Sequence, residues 1–431
     1  MTPVIQWDSP YPHRSRVISY LIFKNKRRRT VSRWIDRTPD SRISPGEKMV
    51  KILATADWQM DMKGGRLNEA ARQYLSDARV ETIEKIIELA KEEDVAAILA
   101  AGDLFEYPSP TPEVISSVAE VLQRSKVPIH AIPGNHDLYG KSSVWETPEF
   151  RAIKHFHLHN EKDAIEITKG VTLHSIPVKS IYDTDDQDEL LDDVSEEDGV
   201  HIVMAHAHDR DAAADAFGGH EDDDCTLPIR SSKVLDKGYS LLILGHWHSW
   251  REVVKNRVLY PGTHEQTKFN ERDAGYVAII EVPEDGSDSK IDKVEVGKIR
   301  WAIEDFDCTG KKLPDDLTDF VRNLRDDDGI EFLKLNLTGE VDAESLAVEI
   351  PDAIAGCGTL VRHLDVSTDD LESVIDVDEM TRKVNLPMGL STIQGSILAD
   401  LKNAQGNEEM TSDLMEELTA LYRTCREASI I

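Results

Sequence analysis

From residue 49 onward, short continuous apolar runs alternate with stretches whose apolar residues recur every three or four positions. Met49–Ala56, Val95–Ala101 and Val127–Ile132 are continuous runs of small and branched residues, the pattern of buried strands. Between the first two, residues 66–93 place Leu75, Ala78, Ile83, Ile86, Ile87 and Ala90 on one side of a helix, and 112–124 read as a second helix. Strand, helix, strand, helix, strand predicts a parallel sheet with right-handed crossovers. From about 145 the period shortens. Ala164–Thr168, Val171–Ile176, His201–His206, Ser240–Leu244, Arg257–Tyr260 and Tyr276–Val282 read as strands separated by turns, the second layer of a β-rich core. The expected class is α/β: a layered β-sandwich core flanked by helices over 49–298.

After Lys298 the pattern restarts on a smaller scale. Residues 313–325 read as a helix, 332–339 as a strand, 342–355 as mixed helical and 359–366 as a strand, a small α/β domain over 299–368. Residues 369–431 show no strand pattern and two amphipathic helices, about 393–404 and 411–427, with Leu414, Leu418 and Leu421 at helical spacing. On pattern alone this tail either packs on its own domain or docks a partner.

Charge divides the chain unevenly. Its 431 residues hold 81 acidic and 50 basic side chains, net −31, yet residues 1–48 carry eleven Lys/Arg against four acids. That basic extension is either a nucleic-acid-contacting arm or a flexible leader, including one read from a start codon placed too far upstream. The acidic remainder disfavours polyanion binding over the whole surface but not at a local site. The runs Asp183–Asp198 and Gly218–Cys225 read as solvated surface loops. Cys225, Cys308, Cys357 and Cys425 are scattered without a C-x-x-C pair, against a thiolate zinc site or disulfide framework and in keeping with a reducing interior. No apolar run approaches the roughly 18 residues of a membrane span, and Val17–Phe23 is too short and too basic behind for a signal peptide. The expectation is a cytoplasmic protein without a membrane.

Polar chemistry gathers at strand ends: Asp57 and Gln59, Asp103, Asn135-His136-Asp137 after the Pro133-Gly134 turn, His206, and His246 and His248. Carboxylate, amide oxygen and imidazole are ligands that Mn²⁺, Fe²⁺ or Zn²⁺ accept. Asp103 stands alone on its strand end and reads as a bridging carboxylate. Two ions about 3.5–4 Å apart would clamp a phosphodiester. His136 would protonate the leaving oxygen, with Asp137 holding its ring. Trp58 and Trp247 sit beside these ligands, either to stack on an unpaired base or as a wall of the core. Lys63, Arg66, Lys141, Lys268 and Arg272 flank the motif loops as a candidate DNA-phosphate patch.

The ordered set Asp-x-Gln, Gly102-Asp103-Leu104-Phe105, Pro133–Asp137, His206, Gly245-His246-Trp247-His248 and Tyr260-Pro261-Gly262-Thr263 resembles the calcineurin-like metallophosphoesterases. More narrowly it resembles the SbcD-type nucleases of DNA double-strand-break processing, over about 50–282. The resemblance implies one metal on Asp57, Asp103 and His248 with Gln59 added, a second on Asp103, Asn135, His206 and His246, and His136 as acid. It implies Mn²⁺ at both sites, with Mg²⁺, Fe²⁺ or Zn²⁺ as alternatives. It also implies a capping domain at 299–368, an SMC-like ATPase partner docked through 369–431, and DNA cut as exonuclease and endonuclease. A second copy of the chain is a further candidate partner.

Three departures stand out. Gln59 replaces the family's usual histidine, a weaker ligand without imidazole's preference for transition metals. Glu106 stands where some relatives carry a histidine, which bears on exonuclease against endonuclease preference. His208 could substitute for His206, although His206 directly ends the strand Ile202–Ala205. The rival readings are a metallophosphoesterase acting on nucleotides or small diesters, and a degenerate scaffold that binds without catalysis.

Overall fold

The computed structural model describes residues 49–431 apart from 66, 196–198, 213–225, 272, 343–344, 374–385, 405–409 and scattered positions after 410. The basic extension 1–48, the run Gly218–Cys225, Arg66 and Arg272 therefore lie outside the described residues.

Two six-stranded mixed sheets pack face to face. The first runs β14 (Lys290–Glu295), β13 (Tyr276–Pro283), β1 (Met49–Thr55), β2 (Ala97–Ala100), β3 (Ile129–Ala131), β4 (Phe156–Leu158). The second runs β11 (Arg251–Val254), β12 (Val258–Tyr260), β10 (Leu241–Gly245), β7 (Val200–His206), β6 (Val171–Ile176), β5 (Asp163–Thr168). A two-residue pair, β8 (His208–Asp209) with β9 (Pro228–Ile229), follows β7. β1 to β4 are mutually parallel, as are β12, β10, β7 and β6. The carboxyl ends of β1, β2 and β3 therefore open on one edge, and those of β7 and β10 on one edge of the facing sheet.

Alternation decides which side each residue takes. Ile52, Ala54, Leu99, Ala101 and Ile132 meet Leu173, Ile202, Met204, Ile243 and Leu259 between the sheets. Leu53, Ile98 and Ile129 point the other way, under α1 (Glu69–Glu92) and α2 (Pro112–Gln123), where Ile83, Ile86, Val118 and Leu122 cover them. Each such fully buried aliphatic side chain contributes about 1.5–3 kcal/mol. Asn68 caps α1 by accepting from the Ala71 amide at 2.8 Å. The short α3 (Pro148–Arg151) adds Phe150 to that layer, and α4 (Ser231–Asp236) covers the outer face of the second sheet with Val234.

A three-stranded parallel sheet follows: β15 (Trp301–Asp307), β16 (Phe332–Val341), β17 (His363–Ser373). Leu333, Leu335 and Leu337 of the central strand bury against α5 (Asp315–Asp328) and α6 (Ile350–Cys357). Trp301 and Phe332 stack at 4.4 Å and pack on Leu67, Ala71 and Leu75, so this smaller layer rests on α1. The helix α7 (Met388–Asn403) begins five residues earlier than expected. No helix among the described residues is long and apolar enough to cross a membrane.

Some expectations need correction. β4, β11, β14 and β15 carry no strand signal that the sequence pattern revealed. The segment after 368 begins in a strand, since β17 runs to Ser373; its Asp369-Asp370 and Glu372 face solvent on an edge, which hides the alternation. The acidic run at 183–198 is more than a solvated loop. Asp188 is 1% exposed and accepts from the Arg230 amide, while Asp186 pairs with Arg210 at 3.0 Å and Arg230 at 2.5 Å. Carboxylates there hold the β9–α4 turn rather than water alone.

Candidate metal centre

Five strand ends deliver the candidate side chains to one place. Asp57 and Gln59 follow β1, Asp103 follows β2, Asn135 to Asp137 follow β3, His206 ends β7, and His246 and His248 follow β10. Four of these residues leave their strands in left-handed backbone: Asp57 at φ 50°, Gln59 at 47°, Asp103 at 52° and His246 at 107°. Such conformations cost a non-glycine residue about 1–3 kcal/mol and persist where surrounding contacts impose them. Here the contacts are the amides of Asp57 and Gln59, which donate to the carbonyls of Gly102 and Asp103 at 3.0 Å each. The sharp turns swing the side chains off the sheet edge and toward one another.

Close approach also needs glycine. A Cβ at Gly245 would lie 1.9 Å from the Ala101 carbonyl oxygen, and one at Gly102 would lie 2.5 Å from the His206 ring. The motif glycines therefore let the two sheets' edges touch.

Asp57, Asp103 and His206 are buried, with ligand atoms within 4.8 Å of one another, a group of metal-binding form. His206 Nδ1 donates to the Ala101 carbonyl at 2.9 Å. That commits the ring and turns Nε2 to Asn135 Oδ1 at 3.0 Å and Asp103 Oδ2 at 3.3 Å. His246 Nδ1 lies 3.3 Å from the same Asn135 oxygen, and its amide donates to Asp57 Oδ1 at 3.0 Å. Gln59 Nε2 lies 3.2 Å from Asp103 Oδ2 and 3.4 Å from His248 Nε2. Gln59 Oε1 is buried without a hydrogen-bond partner.

This inventory fits cations. The Asn135 and Asp103 oxygens converge on His206 Nε2 at 3.0 and 3.3 Å, an acceptor-rich corner held together by a single proton on that ring. Turning the Gln59 amide over would replace a donor beside Asp103 and His248 with its unpartnered oxygen. The electrostatics agree. Burial pushes Asp57 up to about 6, against the pull of His206. Burial also works to raise Asp103, but the facing His206 overrides it and holds that carboxyl well below the usual range. Burial would strip His206 of its proton, yet Asp103 keeps it to about 9. His246 is driven down to about 3 by burial and by His206. A proton on His206 holds the place a divalent ion would fill.

Glu271 was not singled out by sequence. Its Oε1 lies 2.7 Å from His248 Nδ1, and its other oxygen accepts the Thr267 amide at 2.6 Å. The carboxylate raises His248 against burial and is itself lowered by it. It thus fixes the tautomer that frees His248 Nε2 for the centre. Glu271→Gln is expected to weaken Mn²⁺ binding roughly 10–100-fold with the fold intact. An isothermal Mn²⁺ titration showing unchanged affinity would remove Glu271 from that role. Nothing in the local sequence marks this residue; it lies 23 positions from its partner.

One further expectation changes. Asp137 does not hold the His136 ring. Its carboxylate accepts the amides of Leu104 at 2.7 Å, Phe105 at 3.2 Å and Gly134 at 2.7 Å, binding the two motif loops together in full burial. Burial and the nearby Asp103 raise it to about 7. The His136 ring instead sets Nδ1 3.2 Å from the Glu106 carbonyl, with Nε2 3.9 Å from Asp103 Oδ2. Trp58 is 1% exposed and donates to Thr55 Oγ1 at 2.9 Å, so it is a wall of the core and not a stacking surface for a base. The His208 ring packs on Trp247 at 5.6 Å, while His206 is the one that meets Asp103 and Asn135. Lys63, Lys141 and Lys268 are exposed; Lys63 lies over the Tyr107 ring at 5.1 Å, and Lys268 comes 3.9 Å from Glu271.

Comparison with known proteins adds the family. The family model described as calcineurin-like phosphoesterase matches residues 50–250. Among solved structures, TT1561 of Thermus thermophilus aligns over 58% of this chain and 100% of its own, at 12% identity and a TM-score of 0.36. A dimetal phosphatase from Danio rerio aligns over 56% of this chain and 98% of its own, at 11% identity and a TM-score of 0.35. With motif order and a buried aspartate–histidine cluster in agreement over the matched span, residues 50–250 carry a calcineurin-like metallophosphoesterase core, that of a metal-dependent phosphoesterase.

Proposed function

We propose that this protein is a two-metal DNA exonuclease and endonuclease of the SbcD type, working with an SMC-like ATPase in double-strand-break processing. The observation that carries the reading is the convergence of Asp57, Asp103, Asn135, His206, His246 and His248 beside a half-exposed His136. Asp57, Gln59, Asp103 and His248 would hold one ion, and Asp103, Asn135, His206 and His246 the other. Mn²⁺ suits this mixed oxygen and nitrogen set, as do Mg²⁺, Fe²⁺ and Zn²⁺ with changing preference. When bound, the ions supply Lewis acidity toward the phosphate and lower the pKa of water.

The chain's own groups do the rest. His136 Nδ1 donates to the Glu106 carbonyl, which leaves Nε2 to carry the transferable proton toward a leaving oxygen. Asp137 keeps the loop bearing His136 against the loop bearing Asp103. Gln59 makes the first site a looser one than an imidazole would.

DNA is favoured over a small diester by the α/β layer at 301–373 and the helices beyond it, which a small-molecule phosphatase does not need. Exposed Lys63, Lys141 and Lys268 support a local phosphate contact on an otherwise acidic protein. Ile393, 49% exposed on α7, supports docking of a partner through 369–431. The test is Mn²⁺-dependent turnover of linear and hairpin DNA beside a small chromogenic diester, with and without a candidate ATPase. DNA cleavage stimulated by the ATPase is expected. Turnover of the diester alone would move the substrate to small molecules. Less than one metal equivalent with no turnover would make the protein a scaffold.

A further inference from the structure

A second group of imidazoles lies at the free edge of the first sheet, apart from the residues of the metal centre. β3 and β4 pair in parallel with His130 directly opposite His157. Side chains two apart on a strand share a face, so His159 joins them just past the end of β4. His130 is 6% exposed and His159 8%, and His130 Nδ1 lies 3.0 Å from His159 Nε2. The His157 ring stacks on His130 at 5.0 Å, and His130 on His159 at 5.3 Å. Asp163, the first residue of β5, puts Oδ2 3.9 Å from His159 Nδ1.

Three imidazoles are costly to gather in this way for packing alone. Burial, then the neighbouring imidazoles, drives His130 down to about 3, and burial lowers His159 too. Both rings are thus neutral, the form that ligates a metal without first releasing a proton. The 3.0 Å between their nitrogens is close to the roughly 3.4 Å that two nitrogens on one tetrahedral zinc would show. In this structure the rings stack and do not converge. The one that must turn is His157, which is exposed and leaves its stack on His130 to do so.

We propose that His130, His157 and His159, with Asp163 beside them, form a site for one divalent transition-metal ion separate from the catalytic centre. Nitrogen donors select Zn²⁺, Ni²⁺, Co²⁺ or Cu²⁺ over Mg²⁺ and Ca²⁺. An ion there ties the edge strand β4 to β3 and, through Asp163, to the first residue of the facing sheet. The site belongs to the stability of the core and does not depend on which phosphodiester is cleaved.

The test uses the full chain and Zn²⁺ alone as probe, comparing wild type with His157→Ala and His159→Ala. The catalytic centre is common to all three and cancels in the comparison. Wild type is expected to bind one Zn²⁺ equivalent more than His157→Ala, and Zn²⁺ to raise its melting temperature by an increment both variants lack. Cu²⁺ bound to wild type should show nitrogen splitting from three imidazoles in its electron paramagnetic resonance spectrum. Because His157 is exposed, His157→Ala keeps its fold and its Mn²⁺-dependent activity. Equal Zn²⁺ stoichiometry and equal Zn²⁺-dependent melting in all three proteins would overturn the site and leave a hydrogen-bonded stack of histidines.

Discussion

Replacing His136 with alanine is expected to lower kcat on a phosphodiester by about 10²–10⁴-fold while leaving metal stoichiometry unchanged. The separation follows from where the residue touches its neighbours. Its main-chain amide donates to Asp103 Oδ1 at 2.9 Å, and that bond survives truncation of the side chain. The ring lies 3.9 Å from Asp103 Oδ2, is 41% exposed, and is positioned by a carbonyl and not by a candidate ligand. Removing it therefore costs a proton donor and little else. The sharper readout is the leaving group. A diester with an acidic phenol needs no proton from the enzyme, so its loss should be far smaller than that of an alkyl diester or DNA. Equal losses on both substrates would show that the ring orients substrate instead of protonating the leaving oxygen.

What the sequence made legible was set by position within each sheet. Central strands such as β1, β2 and β7 are covered on both faces, and their apolar runs stand out. β4, β14, β11 and β15 are edge strands, whose outer flank faces water and tolerates His157, Lys290, Arg251 or Glu304. Solvation erases the very alternation by which a strand is recognised. The candidate site's convergence was legible for a related reason. Carboxyl ends of parallel strands gather on one edge, so polar residues ending apolar runs are brought together by topology. Asp57, Asp103, Asn135 and His206 all fall at such ends. Contacts made across the fold left no such trace. Glu271 supports His248 from a turn, the Ala101 carbonyl orients His206, and Asp137 serves loop amides although it sits beside an imidazole it was expected to hold. Each depends on which segments meet, which local pattern does not encode.

Asp103→Asn is the substitution expected to cost the centre most. It keeps the shape of the side chain and removes the charge shared by both proposed ion positions. One oxygen of Asp103 accepts the His136 amide, and the other faces His206 at 3.3 Å and Gln59 at 3.2 Å. Asparagine can preserve the first contact, but its amide then turns a donor toward His206 and Gln59. Of the two carboxylates in the buried group only Asp57 would remain to offset two divalent ions. Loss of a mere supporting residue weakens metal binding roughly 10–100-fold; loss of a shared anionic ligand should exceed that and empty both positions together. In the metal-free protein His206 should also release its proton more readily, falling from about 9, because Asp103 is what holds it there. Mn²⁺ titration with parallel electron paramagnetic resonance separates the outcomes. Loss of both equivalents and of any spin-coupled signal marks a bridge, whereas loss of one equivalent with the other intact would place Asp103 in a single site. Near-ultraviolet circular dichroism on the same sample excludes simple unfolding, since the sheets and the Leu104, Phe105 and Gly134 amides bound by Asp137 do not rely on the charge of Asp103.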